Sequence, residues 1–240
     1  MTAVFLIARR EFFAYLRSPL GSAIIAACLL IDGILFYFRA LTPKLLSAEV
    51  LQEFIYSASG TTMIAGLVLS MRLLAEERQA GTLVLLNTAP VKDSQIVLGK
   101  FLSAFIVLSL LTLLTAYMPT MIFVKGNVSI GHILVGYAGL LLLGSASIAI
   151  GLFGSAIARS QIVAAIVGAA ILAPLVLLWA VARAVDPPLN RYLSGLALHH
   201  DNFRPFMLGR LDFGAVAYYL VVTYFFLLAA TKVLEARRWR

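Results

Sequence analysis

Six long stretches with almost no charge recur along this 240-residue chain, at 20–38, 54–71, 101–124, 133–158, 162–185 and 213–233. About 20 apolar residues, rising ~1.5 Å each as a helix, cross the hydrocarbon layer of a bilayer. The runs are apolar on every face, without the period-two alternation of a membrane β-barrel. In hydrocarbon each backbone N–H and C=O must find a partner inside its own segment, so each run is predicted to be a helix. Composition agrees: 62% of residues are hydrophobic and 12% charged, where a soluble domain spends about 25% on charge. The sequence therefore predicts an all-α integral membrane protein, one domain over 1–240, with six transmembrane helices.

The net charge of +8 does not point to nucleic acid, because the basic residues sit in short runs between apolar stretches rather than on one soluble face. Their distribution carries topology instead. Arg9, Arg10, Arg17, Arg72, Arg78, Lys92, Lys100, Arg159, Lys232, Arg237, Arg238 and Arg240 fall on the side that holds both termini. Arg39, Lys44, Lys125, Arg183, Arg191, Arg204 and Arg210 fall on the other. The excess puts both termini in the cytoplasm. Cys28 is the single cysteine, so no internal disulfide is possible. The basic N-terminus leads into an apolar run that contains Asp32 and continues into more protein, unlike a cleaved signal peptide.

Three segments are not spans. Residues 3–17 read as an interfacial helix, with Phe5, Ala8, Phe12 and Leu16 in one stripe and Arg10 and Arg17 opposite. Between spans two and three lies a polar insert in which Glu76, Glu77 and Arg78 carry the second helix into water and Gly81 permits a change of direction. Thr82 is placed to cap a short helix bearing Leu83, Leu85 and Leu86, which Pro90 ends; Asp93 or Ser94 is placed to cap the next helix. Leucines on a short helix outside the bilayer need a cover, either the membrane surface or a groove on a soluble partner. The loop 186–212 mixes polar residues with Tyr192, Leu193, Leu196, Phe203, Phe206 and Leu211, a pattern for short outer interfacial helices before span six.

Chemistry is sparse. No nucleophile or zinc motif occurs, and Gly99-Lys100 lacks the upstream glycine of a P-loop, so no catalytic residue is predicted. His199-His200-Asp201 are sequence neighbours that do not share a helix face, so no metal site is predicted. Asp32 is the one acidic residue deep in a span; either it faces a pathway or it is hydrogen-bonded in a helix contact. Ser147, Gly151 and Ser155, four apart, form a stripe of small residues that either lets another helix approach or lines a path.

Several stretches resemble the six-span permeases of ABC-2-type transporters, most closely the gliding-motility branch. They are Arg10-Glu11-Phe-Phe-Ala-Tyr-Leu-Arg-Ser-Pro19, the insert Glu76-Glu77-Arg78-x-x-Gly81-Thr82-x-x-x-Leu86-x-x-x-Pro90, the turn Ser155-x-x-x-Arg159-x-Gln161, and His200-x-x-Phe203-x-x-Phe206-x-x-Gly209. The resemblance implies a partner that carries ATP and Mg, a separate ABC ATPase subunit, with no cofactor and no enzymatic activity in this chain. It implies that Glu76, Glu77, Arg78, Gly81, Thr82, Leu85, Leu86 and Pro90 form a cytoplasmic coupling helix, segment 75–92, that contacts this ATPase. Ser155, Arg159 and Gln161 would add a smaller contact. It further implies a second permease, identical or related, membrane lipids rather than nucleic acid as surroundings, export as the direction, and the inner (plasma) membrane of a bacterium or archaeon. Asp32 stands where the family more often has an uncharged residue. Two other functions fit the residues: an ATP-independent secondary transporter or channel that uses Asp32, and a non-transporting membrane anchor of a motility-type complex.

Overall fold

The structure, a computed structural model, describes residues 3–40, 46–81, 91–125 and 128–238, and every element in them is helical. In chain order these are α1 (Ala3–Arg17), α2 (Pro19–Leu35) continued by a π-helical turn (Phe36–Ala40), α3 (Ser47–Gln79), α4 (Asp93–Leu114), α5 (Tyr117–Lys125), α6 (Ile130–Ile157), α7 (Gln161–Arg183), α8 (Leu189–Leu196), α9 (His200–Met207) and α10 (Phe213–Arg238). Six helical stretches are long and apolar enough to cross a membrane: α2 with its π turn, α3, α4 with α5, α6, α7 and α10.

Two of these helices outrun their apolar stretch toward the insert. α3 has 33 residues and runs on to Gln79, past Arg72 and three further charges; at ~1.5 Å per residue it is about 50 Å long, more than the hydrocarbon layer needs. α4 begins at Asp93, eight residues ahead of its apolar run at Phe101, with Lys92 at the cap position and its N–H donated to Gln95 Oε1 (3.1 Å). Asp93 thus lies inside the first turn, where the helix dipole favours an acid, instead of capping it. The insert is held between two helical stems.

The third span is broken at Thr115–Ala116, which the sequence reading did not anticipate. Pro119 has no N–H to offer the Thr115 carbonyl, which is met by Met118 N–H instead (3.0 Å). The Thr115 hydroxyl lies 2.7 Å from the Thr112 carbonyl and 3.1 Å from Tyr137 Oη, so the break is buried against α6 as the bilayer requires. α7 continues through Pro174 without interruption.

α6 is the hub, packed against α3, α10, α7 and α4. Lipid tails are as apolar as leucine, so the packing of spans rests on close contact and hydrogen bonds more than on a hydrophobic drive. The small-residue stripe supplies both. Gly151 faces the Ser70 hydroxyl where any Cβ would collide, Ser147 stands against Gly66, and Gly154 meets Gly168 of α7 backbone to backbone. Two large clusters fill the interior among the described residues, one around Leu69, Ile96, Leu108, Ile148 and Leu152, the other around Phe54, Ile55, Leu140, Phe203, Phe206 and Tyr219, with a small third at Ala75, Ala158 and Ala164. α2, α7 and α10 leave most of their side chains outward, among them Ile162, Ile166, Leu220 and Tyr224, a surface suited to lipid.

Helix α9 and the turn before it fold back into the bundle without crossing it, while α8 buries no side chain. Phe203 and Phe206 are fully buried, Tyr219 donates to the Leu198 carbonyl (2.8 Å), and Leu198 N–H donates to Leu175 of α7 (2.9 Å). α1 corrects the sequence reading. Its packed face runs through Ile7, Ala8, Glu11, Phe12 and Tyr15, while Phe5 and Leu16, expected in the same stripe as Ala8, are about half exposed beside Leu6 and Phe13. The helix turns Glu11 inward because a buried cation waits there.

Candidate functional site

The charged residues flanking the insert meet at the end of α3. Lys100 of α4 is almost wholly buried, with its ammonium 3.2 Å from Glu11 of α1 and 3.0 Å from Glu77 of α3. Arg10 bridges the same two carboxylates at 2.9 and 3.0 Å. Two cations and two anions thus close a neutral ring across three helices, the arrangement that makes a buried ammonium tolerable. One turn away, Arg72 pairs with Glu76 (2.7 Å), reaches Ser18 Oγ (3.3 Å) and lies over the Tyr15 ring (5.0 Å). The Tyr15 hydroxyl donates to the Leu69 carbonyl (2.5 Å), and burial pushes its pKa well above the usual phenol value. Together these contacts fasten α1 to both stems of the insert.

The opposite side of α3 is fastened to α6. Ser155 Oγ accepts from Leu74 N–H (3.0 Å) and Ala75 N–H (2.9 Å) and donates to the Met71 carbonyl (2.9 Å), so one hydroxyl is inserted into the hydrogen-bond ladder of α3. Arg78 donates to the carbonyls of Ala156, Ile157 and Ala158, the unpaired acceptors at the end of α6. Arg237 of α10 donates to the Ile157 carbonyl as well (2.6 Å).

The residues expected to face a partner therefore occupy three situations. Glu77, Arg78 and Ser155 are engaged within the bundle; Ser155 is fully buried. Glu76, beside Arg72, is partly exposed, Gly81 and Arg159 are exposed, and Gln161 is half-buried at the start of α7. Gly81 takes a left-handed φ of 72°, a conformation that glycine adopts without a Cβ penalty. Thr82, Leu85, Leu86 and Pro90, and with them the expected short helix, lie outside the described residues. Sequence reasoning missed Lys100, Glu11 and Arg10. The signal was present: a lysine two turns into a helix, at the head of an apolar run, needs a carboxylate, and two stand nearby in the fold.

Asp32 sits in the contact between α2 and α3, 3% exposed, where it accepts from the Thr61 hydroxyl (2.6 Å). That hydroxyl also lies 2.9 Å from the Ala58 carbonyl, so one proton serves two acceptors. At the other end of the bundle the adjacent histidines part. His199 is buried, 2.6 Å from Ser59 Oγ, whereas His200 stacks on Trp179 and meets Arg183 (2.9 Å). Burial, reinforced by neighbouring His200, lowers the His199 pKa to about 4.

The charged groups of this arrangement pair across helices and brace the two stems of one segment. Compared with known proteins, residues 7–193 match a family model described as ABC-2 family transporter protein. No curated protein sequence matches the chain.

Proposed function

The chain belongs to the ABC-2 family of transporter proteins, a multi-pass membrane protein of that family, and from this premise we propose that it is the membrane subunit of an ATP-driven exporter. A separate P-loop ATPase binds ATP and Mg; this chain hydrolyses nothing and forms the path. The observation that carries the reading is the braced insert. α3 and α4 project charged stems beyond their apolar runs, and Lys100, Glu11, Arg10, Arg78 and Ser155 tie those stems to α1 and α6. A push on the segment between Gln79 and Val91 then moves α1, α3, α4 and α6 together.

The contact with the ATPase centres on Gly81, Thr82, Leu85, Leu86 and Pro90, with Glu76 and Gln161 at its edge. Glu77, Arg78 and Ser155 transmit from inside. The end carrying the termini is cytoplasmic, by its excess of Lys and Arg, in the inner membrane of a bacterium or archaeon. A second permease, identical or related, completes the path. We assign to it the apolar groove of about 380 Å³ between α3 and α7, lined by Gly60, Ile64, Leu67, Ala169, Ala173 and Val176. Small residues on both walls suit close helix approach.

Co-purification tests the contact. With the native ATPase co-expressed, the unaltered chain retains it through affinity capture, and L85D/L86D loses it while the permease stays monodisperse. Retention of the ATPase by L85D/L86D places the contact elsewhere.

A further inference from the structure

Three arginines gather at the end of α6. Arg78 and Arg237, from α3 and α10, donate to the same Ile157 oxygen, which fixes their guanidinium groups side by side. Arg159 follows the C-cap residue Ala158 and is exposed at the same corner. Against three positive charges stand only the terminal carbonyls of α6, equivalent to about half a negative charge. Among the described residues no carboxylate pairs with any of the three: Glu76 is taken by Arg72, Glu77 by Arg10 and Lys100, and Glu235 by Lys232. Like charges held this close need an anion from outside.

The surroundings say which anion. Ile157, Ile162, Val163 and Ile166 are all exposed beside the arginines, Ile162 at 74%. An acidic protein segment would answer the charge and leave these side chains bare. A phospholipid answers both, with its phosphate on the guanidinium forks and its acyl chains along the isoleucines. We propose that this corner of α3, α6, α7 and α10 binds the headgroup phosphate of an anionic phospholipid, with Arg159 and Arg237 as its contacts and Arg78 holding the end of α6 in place. The bound lipid ties α10 to the α3–α6 junction that braces the insert.

Thermal unfolding and native mass spectrometry of the purified full chain, in phosphatidylcholine micelles with and without phosphatidylglycerol, test this. Phosphatidylglycerol raises the melting temperature of the unaltered chain, and R159Q/R237Q loses most of that shift. R159Q alone serves where the double variant is too unstable to read. Arg159 has no protein partner among the described residues, so R159Q keeps the fold while its phosphatidylglycerol adduct weakens about fivefold. R191Q, the same charge removed at the other end, keeps the full shift. The proposal is overturned if R159Q binds the lipid as the unaltered chain does, or if R191Q weakens it equally. It is also overturned if soluble glycerol phosphate reproduces the shift, which would make the ligand a free phosphate. Loss of the ATPase from R159Q with lipid binding intact would give the corner to protein docking instead.

Discussion

At the residue scale, single polar side chains fix where helices sit. Ser155 reads in the sequence as one member of a small-residue stripe and as part of a turn. Only its neighbours in space show that its hydroxyl serves two N–H groups and a carbonyl of α3. Ser155→Ala leaves those groups to re-pair within α3 or go unmet, at a cost of about 1–3 kcal/mol, visible as a lower melting temperature in detergent. His199 gives a pH signature. Its folded pKa of about 4 lies below the ordinary value near 6.5, so the unfolded chain takes up the proton first as pH falls. The contribution present above pH 6.5 is lost between 6.5 and 4, roughly 3 kcal/mol in all. Melting temperatures of the unaltered chain fall across that window, and those of His199→Gln fall less. An equal fall in both would remove His199 as the cause.

At the scale of elements, apolar runs were enough to find the spans and not enough to find their ends. That α3 and α4 continue past their runs was legible in Glu76, Glu77, Arg78 and Asp93, whereas the pairing of Glu77 with Lys100 across the helix contact has no trace in local composition. The face of α1 was misread for the same reason. Glu11 looks like a solvent residue until Lys100 is set beside it. The break at Thr115 did have a local signal in Pro119, but an apolar run of that length masks it. The charged ring is also where α1 is most open to test. Lys100→Met leaves two carboxylates sharing Arg10 alone, a net negative charge in a nearly closed site, and destabilises the chain by about 3–5 kcal/mol. Adding E11Q and E77Q to Lys100→Met recovers part of that loss, because the uncompensated charges go with them. Unfolding of the unaltered chain, Lys100→Met, E11Q/E77Q and the triple variant in one detergent reads the coupling; strict additivity would show that the ring is not a unit.

At the scale of the molecule, the six spans established a membrane protein, and the insert between spans two and three gave it a direction of work. Its stems are braced by charge on one side and by a serine and an arginine on the other, so contacts from α1, α4, α6 and α10 converge on the end of α3. Asp32, which drew attention in the sequence as a lone acid in a span, is instead enclosed between α2 and α3 with Thr61. In the proposed function an ATPase drives this protein through the insert. Site-specific photocrosslinking in membranes that contain both subunits tests it most directly, with a crosslinker at Leu85 in one chain and at Tyr192, on the opposite end, in another. An adduct with the ATPase is expected from position 85 and none from position 192. An ATPase adduct from 192, or none from 85 while the two subunits still co-purify, would contradict it.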